Sequence, residues 1–440
     1  NEMNEILNVF FLVAGVLIIF SFPFSNKYLI SFFKIKEKNI FEIFSLNTIL
    51  IFSLLLLLSF FEINLKLLFY IFLIFSLINL FFVRFNHFKK DLGLMIFFAM
   101  FVIIYFIEIA NYPILEWDAF SHWIYKVKNF YNGYDYANFS NIPNHNQYPP
   151  LGSFLWAFVW KGSLIDSEYT GRLIFIYIYF LSLFLAISKI NFDLIVKIIV
   201  LFFLALITFN SYLFSGYQEP LTFSLSAICL FLFIQIKNYN KFNIFHIFLI
   251  LCTNLIAWTK VEGIFLILFL YIFIFFNSDI NRKSKMYTLL TLIFIIILKK
   301  FIDIHIYDGN INGGFPSWFT FVSIENFFNM SNFIERSLFL ITNTFVTFLK
   351  YPIFILFLLF YSYNLLYERT SKFDNHTFIY FLSTLLAINL VFLLDASEWK
   401  FKAEVGLDRI FYQTSSIYLF LILNSIQHFI KIDGNKKRLN

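Results

Sequence analysis

Leu92-Gly93-Leu94-Met95-Ile96-Phe97-Phe98-Ala99-Met100-Phe101-Val102-Ile103-Ile104-Tyr105-Phe106-Ile107 carries no charged, amide or Ser/Thr side chain on any face. A helix on the surface of a soluble domain has an apolar stripe and a polar one; this stretch is apolar all round. Ile49–Ser59, Leu67–Val83, Leu194–Ile207, Ile264–Phe276, Leu289–Leu298 and Ile353–Phe360 are largely apolar blocks of the same kind. Crossing a bilayer takes about 20 mostly apolar residues. Inside lipid every backbone polar group must be satisfied within its own segment, so helices are expected. Barrel strands would be shorter and would alternate in polarity, and the blocks do not alternate. Composition agrees: mean hydropathy is +0.77, with 60% hydrophobic and 14% charged residues, where a soluble domain carries about 25% charged. The chain therefore reads as an all-α integral membrane protein of about 13 transmembrane helices. They are expected near 6–24, 44–61, 65–83, 92–112, 173–189, 194–214, 220–236, 244–259, 263–277, 286–301, 348–366, 376–394 and 409–427.

The 69 Phe residues, with abundant Ile, Asn and Lys, follow A/T-rich codons. They suggest an A/T-rich bacterial genome and no special aromatic chemistry. Cys229 and Cys252 sit in apolar segments without disulfide or metal-motif spacing. The net charge of +6 suits basic cytoplasmic loops and argues nothing for nucleic acid. The first apolar stretch follows the acidic Asn1-Glu2-Met3-Asn4-Glu5, so no cleavable signal peptide is expected.

Alternate connections are basic: Lys27/Lys34/Lys36/Lys38, Arg84/Lys89/Lys90, Lys189, Lys237/Lys241, Arg282/Lys283/Lys285, Arg369/Lys372 and Lys431/Lys436/Lys437/Arg438. Basic short loops stay cytoplasmic, which places the N-terminus outside and the C-terminus inside. Two long segments, 113–172 and 302–347, then lie on the outer face, together with Ser215–Pro220, Thr259–Gly263 and Asp395–Arg409.

The outer segments hold most of the unusual polar residues. In Glu116-Trp117-Asp118-Ala119-Phe120-Ser121-His122-Trp123-Ile124-Tyr125-Lys126-Val127-Lys128, a turn of 100° per residue puts Asp118, His122, Tyr125 and Asn129 on one stripe, with Lys126 beside it. Trp117, Phe120, Trp123, Ile124, Val127 and Tyr131 form the apolar face of an interfacial amphipathic helix. A plain membrane-surface anchor would show the same pattern. His145-Asn146-Gln147-Tyr148-Pro149-Pro150 is an extended entry to a helix, or simply a turn. In Ser215-Gly216-Tyr217-Gln218-Glu219-Pro220, Glu219 stands at a helix N-terminus, where it could act only as a cap. Lys260 and Glu262 interrupt two apolar runs, and charges at such depth are functional candidates, or else mark a tight hairpin with a snorkelling lysine. Arg409 offers a planar fork for phosphate, or a partner for Asp408.

In this order the pieces resemble bacterial GT-C-fold glycosyltransferases. This polyprenyl-phosphate-sugar-dependent superfamily includes the dolichyl-phosphate-mannose protein mannosyltransferases and the lipid A aminoarabinose transferases. The motifs are Trp117-Asp118 with Trp123, Lys126 and Lys128; Tyr148-Pro149; Gly216-Tyr217-Gln218-Glu219; Thr259-Lys260-Val261-Glu262-Gly263; and the late Arg409. The resemblance covers 113–427 as a GT-C-like catalytic transmembrane domain. The N-terminal helices of 1–112 fall outside it, and 428–440 is a basic cytoplasmic tail. Two departures stand out. The second acid is Glu219 in place of Asp, and Pro220 follows it directly.

The resemblance implies transfer of a sugar from a polyprenyl-phosphate carrier to a glycan, lipid or protein acceptor on the outer face of a bacterial inner membrane. Asp118 would be the general base. His122 and Glu219 would orient sugar or acceptor hydroxyls. Lys126, Lys260 and Arg409 would hold the carrier phosphate. Glu116, Lys128, Tyr148, Tyr217 and Glu262 would line the substrate site. The paired acids could hold a divalent metal, Mg or Mn. Rival readings are an O-antigen-type polymerase or ligase, and a transporter or lipid flippase. The polymerase is disfavoured because Arg336 is the only arginine in 302–347. The transporter is disfavoured because charges cluster at outer helix ends and not at the bilayer midplane.

Overall fold

The computed structural model describes residues 2–24, 39–82, 89, 91–142, 148–237, 242–260, 262–276, 281–306, 330–366, 372–394, 399–420 and 422–423. Among these residues the regular structure is entirely helical. The first four long helices are α1 (Glu2–Ser21), α2 (Ile40–Leu58), α3 (Leu65–Phe81) and α4 (Leu92–Asn111). The polar region that follows folds into a π-helical turn (Ala119–Trp123), α5 (Ile124–Tyr131), a 3-10 turn (Tyr136–Asn141) and α6 (Leu151–Gly162). Next come α7 (Leu173–Ser188), α8 (Leu194–Thr208), α9 (Glu219–Lys237), α10 (Ile244–Ala257), α11 (Gly263–Phe276) and α12 (Arg282–Ile306). The last four are α13 (Met330–Lys350), α14 (Pro352–Leu366), α15 (Lys372–Leu394) and α16 (Trp399–Ser415).

Short polar residues between the apolar blocks start several helices. Asn39, Asn64 and Asp193 each accept a hydrogen bond from the backbone N–H three residues on, at 3.0, 3.1 and 3.1 Å, which satisfies an otherwise orphaned donor. Helix α7 is the axis of the bundle, buried from Leu173 to Ile187. The N-terminal helices pack onto it: Tyr177 Oη lies 3.0 Å from both Ser21 Oγ and Thr48 Oγ1.

Helix α4 shows what surrounds the bundle. Leu94, Phe98, Phe101, Val102, Phe106 and Ile109 face inward, while Leu92, Ile96, Met100 and Ile104 are exposed at four-residue spacing. Helix α3 exposes Leu67, Ile71, Ile74, Phe75 and Ile78 in the same way. Apolar faces of that extent are not left to water. They are compatible with a protein embedded in a membrane. Among the described residues four helices are long and apolar enough to cross a membrane alone, and a fifth crossing arises if the pair α13 and α14, bent by 89° at Tyr351, counts as one span; six further apolar helices are shorter.

Polar contacts sort the connections into two ends. At one end Asn39 Nδ2 donates to the Ser188 carbonyl (3.3 Å), the Ile40 N–H donates to Asp91 (3.1 Å), and Lys189 pairs with Glu42. At the other, Ser163 Oγ meets Asn8 (2.9 Å), the Tyr136 N–H donates to the Ser59 carbonyl (2.9 Å), and the Leu151 N–H donates to the Trp258 carbonyl (3.1 Å).

The structure corrects two boundaries. Residues 330–347 are not an open outer loop, because α13 begins at Met330. Its exposed Ile334, Leu338, Ile341, Phe345 and Leu349 and its buried Arg336, Leu340, Thr344 and Thr347 make a two-faced helix that no apolar block announces. The final helix starts at Trp399, so Arg409 stands inside it and not at its mouth. Ala403, Leu407 and Phe411 are its buried stripe, and the charged first turns hide the helix from a hydropathy reading. Residues 143–147, most of 302–329 and the tail 428–440 lie outside the described residues.

Candidate functional site

Five ionised side chains from four distant segments meet at the end of the bundle that holds Asn8 and Ser163. Glu219, fully buried at the start of α9, does more than cap its helix. Its Oε1 accepts from Lys260 Nζ at 2.6 Å and lies 3.8 Å from Arg409 Nε. Arg409 forms an ion pair with Asp118. Its guanidinium lies 4.9 Å over the Tyr217 ring and donates to Tyr217 Oη at 3.4 Å. Lys260 is also 3.9 Å from Glu262. The order Asp118–Arg409–Glu219–Lys260–Glu262 alternates in sign, and three carboxylates against two cations leave one excess negative charge.

Burial decides which contact can open. The side chains of Lys260 and Glu219 are 4% and 0% exposed. Breaking a buried pair by removing one partner costs about 3–5 kcal/mol, so this pair is the fixed part. The side chains of Arg409 and Asp118 are 18% and 14% exposed, and this is the pair an incoming anion can reach. Burial works against the charge on Lys260, but Glu219 and Glu262 override it and hold its pKa above the usual lysine value. It is a fixed cation. Burial raises the Tyr217 hydroxyl to about 12, with Arg409 pulling down and Asp118 and Glu116 pushing up. It stays a neutral donor.

Asp118 reaches the network through an irregular turn. Ala119–Trp123 is π-helical, with the Ile124 N–H bonded to the Ala119 carbonyl. One extra residue in a turn shifts the phase of everything after it. Trp117, Phe120 and Tyr125 are exposed, whereas His122, Trp123, Lys126 and Val127 are buried. A regular 100° wheel places Tyr125 on the site stripe, and the π turn carries it to the exposed side; the exposed Trp117 and Phe120 remain available to a membrane surface.

Arg172 supports this segment. It is fully buried and donates to the carbonyls of Pro113 (3.0 Å), Ile114 (2.9 Å) and Phe214 (2.8 Å) while pairing with Glu168. One guanidinium thus ties the approach to Asp118 to the approach to Glu219. Between them Gly216 has φ of +83°, the left-handed region that favours glycine. A Cβ there would lie within 3.0 Å of Trp156, Leu115 and Ala119.

Of the residues expected at the site, Asp118, Tyr217, Glu219, Lys260, Glu262 and Arg409 come together. His122 and Tyr148 form an aromatic wall beside them: the His122 ring is 5.3 Å from Trp117 and 6.2 Å from Tyr148, and Tyr148 stacks on Trp123 at 5.2 Å. Burial raises the Tyr148 hydroxyl, and the charges of Glu262 and Asp118 raise it further against Arg409. Lys126 does not share a contact with Lys260 and Arg409. Its ammonium lies 5.0 Å from the Tyr148 ring, 5.2 Å from Trp123 and 5.9 Å from Phe139, and burial lowers its pKa to about 7. Glu116 borders the site through Tyr217, and Lys128 faces outward. Asp408 is not the partner of Arg409; it takes Lys350 (2.7 Å) and Tyr212. Sequence reasoning missed Arg172, Lys350 and Gln218, a fully buried amide next to Glu219.

Asp118 and Glu219 each already face a cation, and among the described residues no group of three His, Cys, Asp or Glu side chains converges. Compared with protein-family models, curated protein sequences and solved structures, the chain has no match.

Proposed function

We propose that the chain is a membrane glycosyltransferase of the GT-C type. It would move a sugar from a polyprenyl-phosphate carrier to a glycan, lipid or protein acceptor at the outer face of a bacterial inner membrane. The carrying observation is the partly buried alternating network Asp118–Arg409–Glu219–Lys260–Glu262, assembled at one end of an apolar helical bundle. Ionised groups are costly at such a place and are kept where they act on charge.

In this reading the carrier phosphate approaches the more exposed pair. The excess negative charge of the network repels it until it takes over the guanidinium of Arg409. Arg409 then leaves Asp118 for the phosphate, while Lys260, held by Glu219, supplies a second fixed positive charge. Asp118 loses its counter-ion at the moment the donor is seated. The acceptor oxygen attacks the anomeric carbon, the carbon–oxygen bond to phosphate breaks, and the polyprenyl phosphate leaves with the bonding pair. The acceptor proton passes to Asp118. Phosphate is a good leaving group, so no general acid is needed. No step is routed through a metal.

The test pairs two assays on purified chain in proteoliposomes: radiolabelled sugar transfer from polyprenyl-phosphoryl sugars, and tracer flux of the same lipids and of free sugars. Transfer is the expected outcome. Flux without transfer overturns the enzyme reading in favour of a transporter or flippase.

A further inference from the structure

Gln218 is fully buried, and both its Oε1 and its Nε2 are buried without a hydrogen-bond partner. Buried amides normally satisfy both atoms, and one that satisfies neither needs an explanation. It immediately precedes Glu219, whose Oε2 is likewise unpartnered. The amide is held against the first turn of α6: a Cβ at Gly152 would lie 1.4 Å from Gln218 Oε1. Position 152 is therefore the floor on which this side chain rests. A second amide behaves alike. Gln413, one helical turn beyond Arg409 on α16, is buried with neither polar atom partnered. Helices α9 and α16 stay together over that turn, since Tyr412 stacks on Phe223 at 5.0 Å. Both amides neighbour members of the charged network along the chain, Gln218 just before Glu219 and Gln413 one turn after Arg409.

We propose that Gln218, seated on Gly152, reads a hydroxyl pair on the group transferred and so determines which sugar is accepted. An amide presents one acceptor and a two-proton donor in a fixed plane, and it binds no ion strongly. Its complement is a group that both donates and accepts, as adjacent sugar hydroxyls do. A phosphate, with acceptors only, leaves the amide oxygen unsatisfied. Gln218 immediately precedes Glu219 and is fully buried, so it meets the sugar only once the Arg409–Asp118 pair has opened. This assignment rests on the glycosyltransferase reading.

The experiment measures binding of three lipids to the full chain in nanodiscs: polyprenyl phosphate, polyprenyl-phosphoryl glucose and polyprenyl-phosphoryl mannose. For the wild type, at least one glycosylated carrier is expected to bind about tenfold or more tighter than the bare phosphate, as for a site built to bond a hydroxyl. Gln218→Leu should abolish that preference, leave the affinity for bare polyprenyl phosphate within about twofold, and melt no lower than wild type because the unsatisfied amide is gone. Gly152→Ala provides an independent perturbation, since its methyl displaces only the flexible end of Gln218; it should abolish the preference with Gln218 still present. Retention of the wild-type preference in either folded variant overturns the assignment. A wild type that binds no polyprenyl phosphate at all overturns the donor reading, and this assignment with it.

Discussion

Asp118 is neither a free surface acid nor a sealed core one, and its pairing with Arg409 makes two effects of one substitution separable. Asp118→Asn keeps the shape but cannot accept a proton. Turnover is expected to fall by about 10²–10⁴. The same change frees Arg409 and removes a negative charge facing the phosphate, so donor affinity should rise and not merely persist. Steady-state kinetics with a glycosylated carrier, together with equilibrium binding, checks both; near-normal turnover would shift the base to Glu219. Lys126 supplies a prediction with the opposite logic. Burial lowers its pKa to about 7 from 10.5, so between those values the unfolded chain holds a proton that the folded chain does not. Folding stability therefore rises with pH across that window, and the cost of burying the ammonium is fully present only below about pH 7. The melting-temperature difference between wild type and Lys126→Met should move in favour of wild type from pH 7 to pH 10; a flat difference would falsify the burial argument. At this scale charge was legible, because Asp118, Glu219, Lys260 and Arg409 stand out in an apolar chain. Gln218 was not, since a neutral amide beside an acid looks like any polar loop residue. Arg172 was not legible either, since nothing in its neighbours reveals the three carbonyls around it.

The elements themselves were readable where hydropathy alone defines them, as in α4 and α7, and not where a turn changes period or charged residues open a helix. The wheel over 116–128 assumes one period throughout, and the π turn at Ala119–Trp123 breaks it between Asp118 and Lys126. Helix α16 begins with Trp399-Lys400-Phe401-Lys402, which a window average rejects although Ala403, Leu407 and Phe411 form a regular buried stripe. The bent pair α13 and α14 delivers Lys350 and Tyr351 to the Asp408 and Asn210 side chains, which only the fold brings near. Arg172 is the strongest element-scale test, since its fork locks the segments before Asp118 and Glu219 together. Lysine keeps the charge but has a single nitrogen, so it cannot reach three carbonyls and Glu168 at once. Arg172→Lys is expected to destabilise the fold by about 1.5–3 kcal/mol and to lower turnover as well, although Arg172 touches no member of the network. Thermal denaturation that matches wild type would mean the two segments are held by packing alone.

At the scale of the whole molecule, charge distribution and contact pattern make one joint statement about direction. The connections rich in Lys and Arg are the alternate ones, and the contacts of Asn39, Ile40, Glu42, Asp91, Ser188 and Lys189 gather three of them, those before α2, before α4 and after α7, at a single end. The charge network lies at the other, with Asn8, Ser59, Ser163 and Trp258. Short basic loops remain on the cytoplasmic side of a membrane, and a path with its N-terminus outside would put these connections there. The network end would then face outward, where a lipid-linked sugar is consumed. Two single-cysteine probes decide this. Ala137, exposed in the 3-10 turn at the network end, and Asn191, exposed in the turn after α7 at the opposite end, tolerate a small side chain. The native Cys229 and Cys252 are buried and give little background. In intact cells a membrane-impermeant maleimide should label Ala137→Cys and spare Asn191→Cys, and permeabilisation should expose the second. The reverse order would put the network in the cytoplasm, within reach of soluble nucleotide-activated donors, and would remove the reason for a polyprenyl carrier.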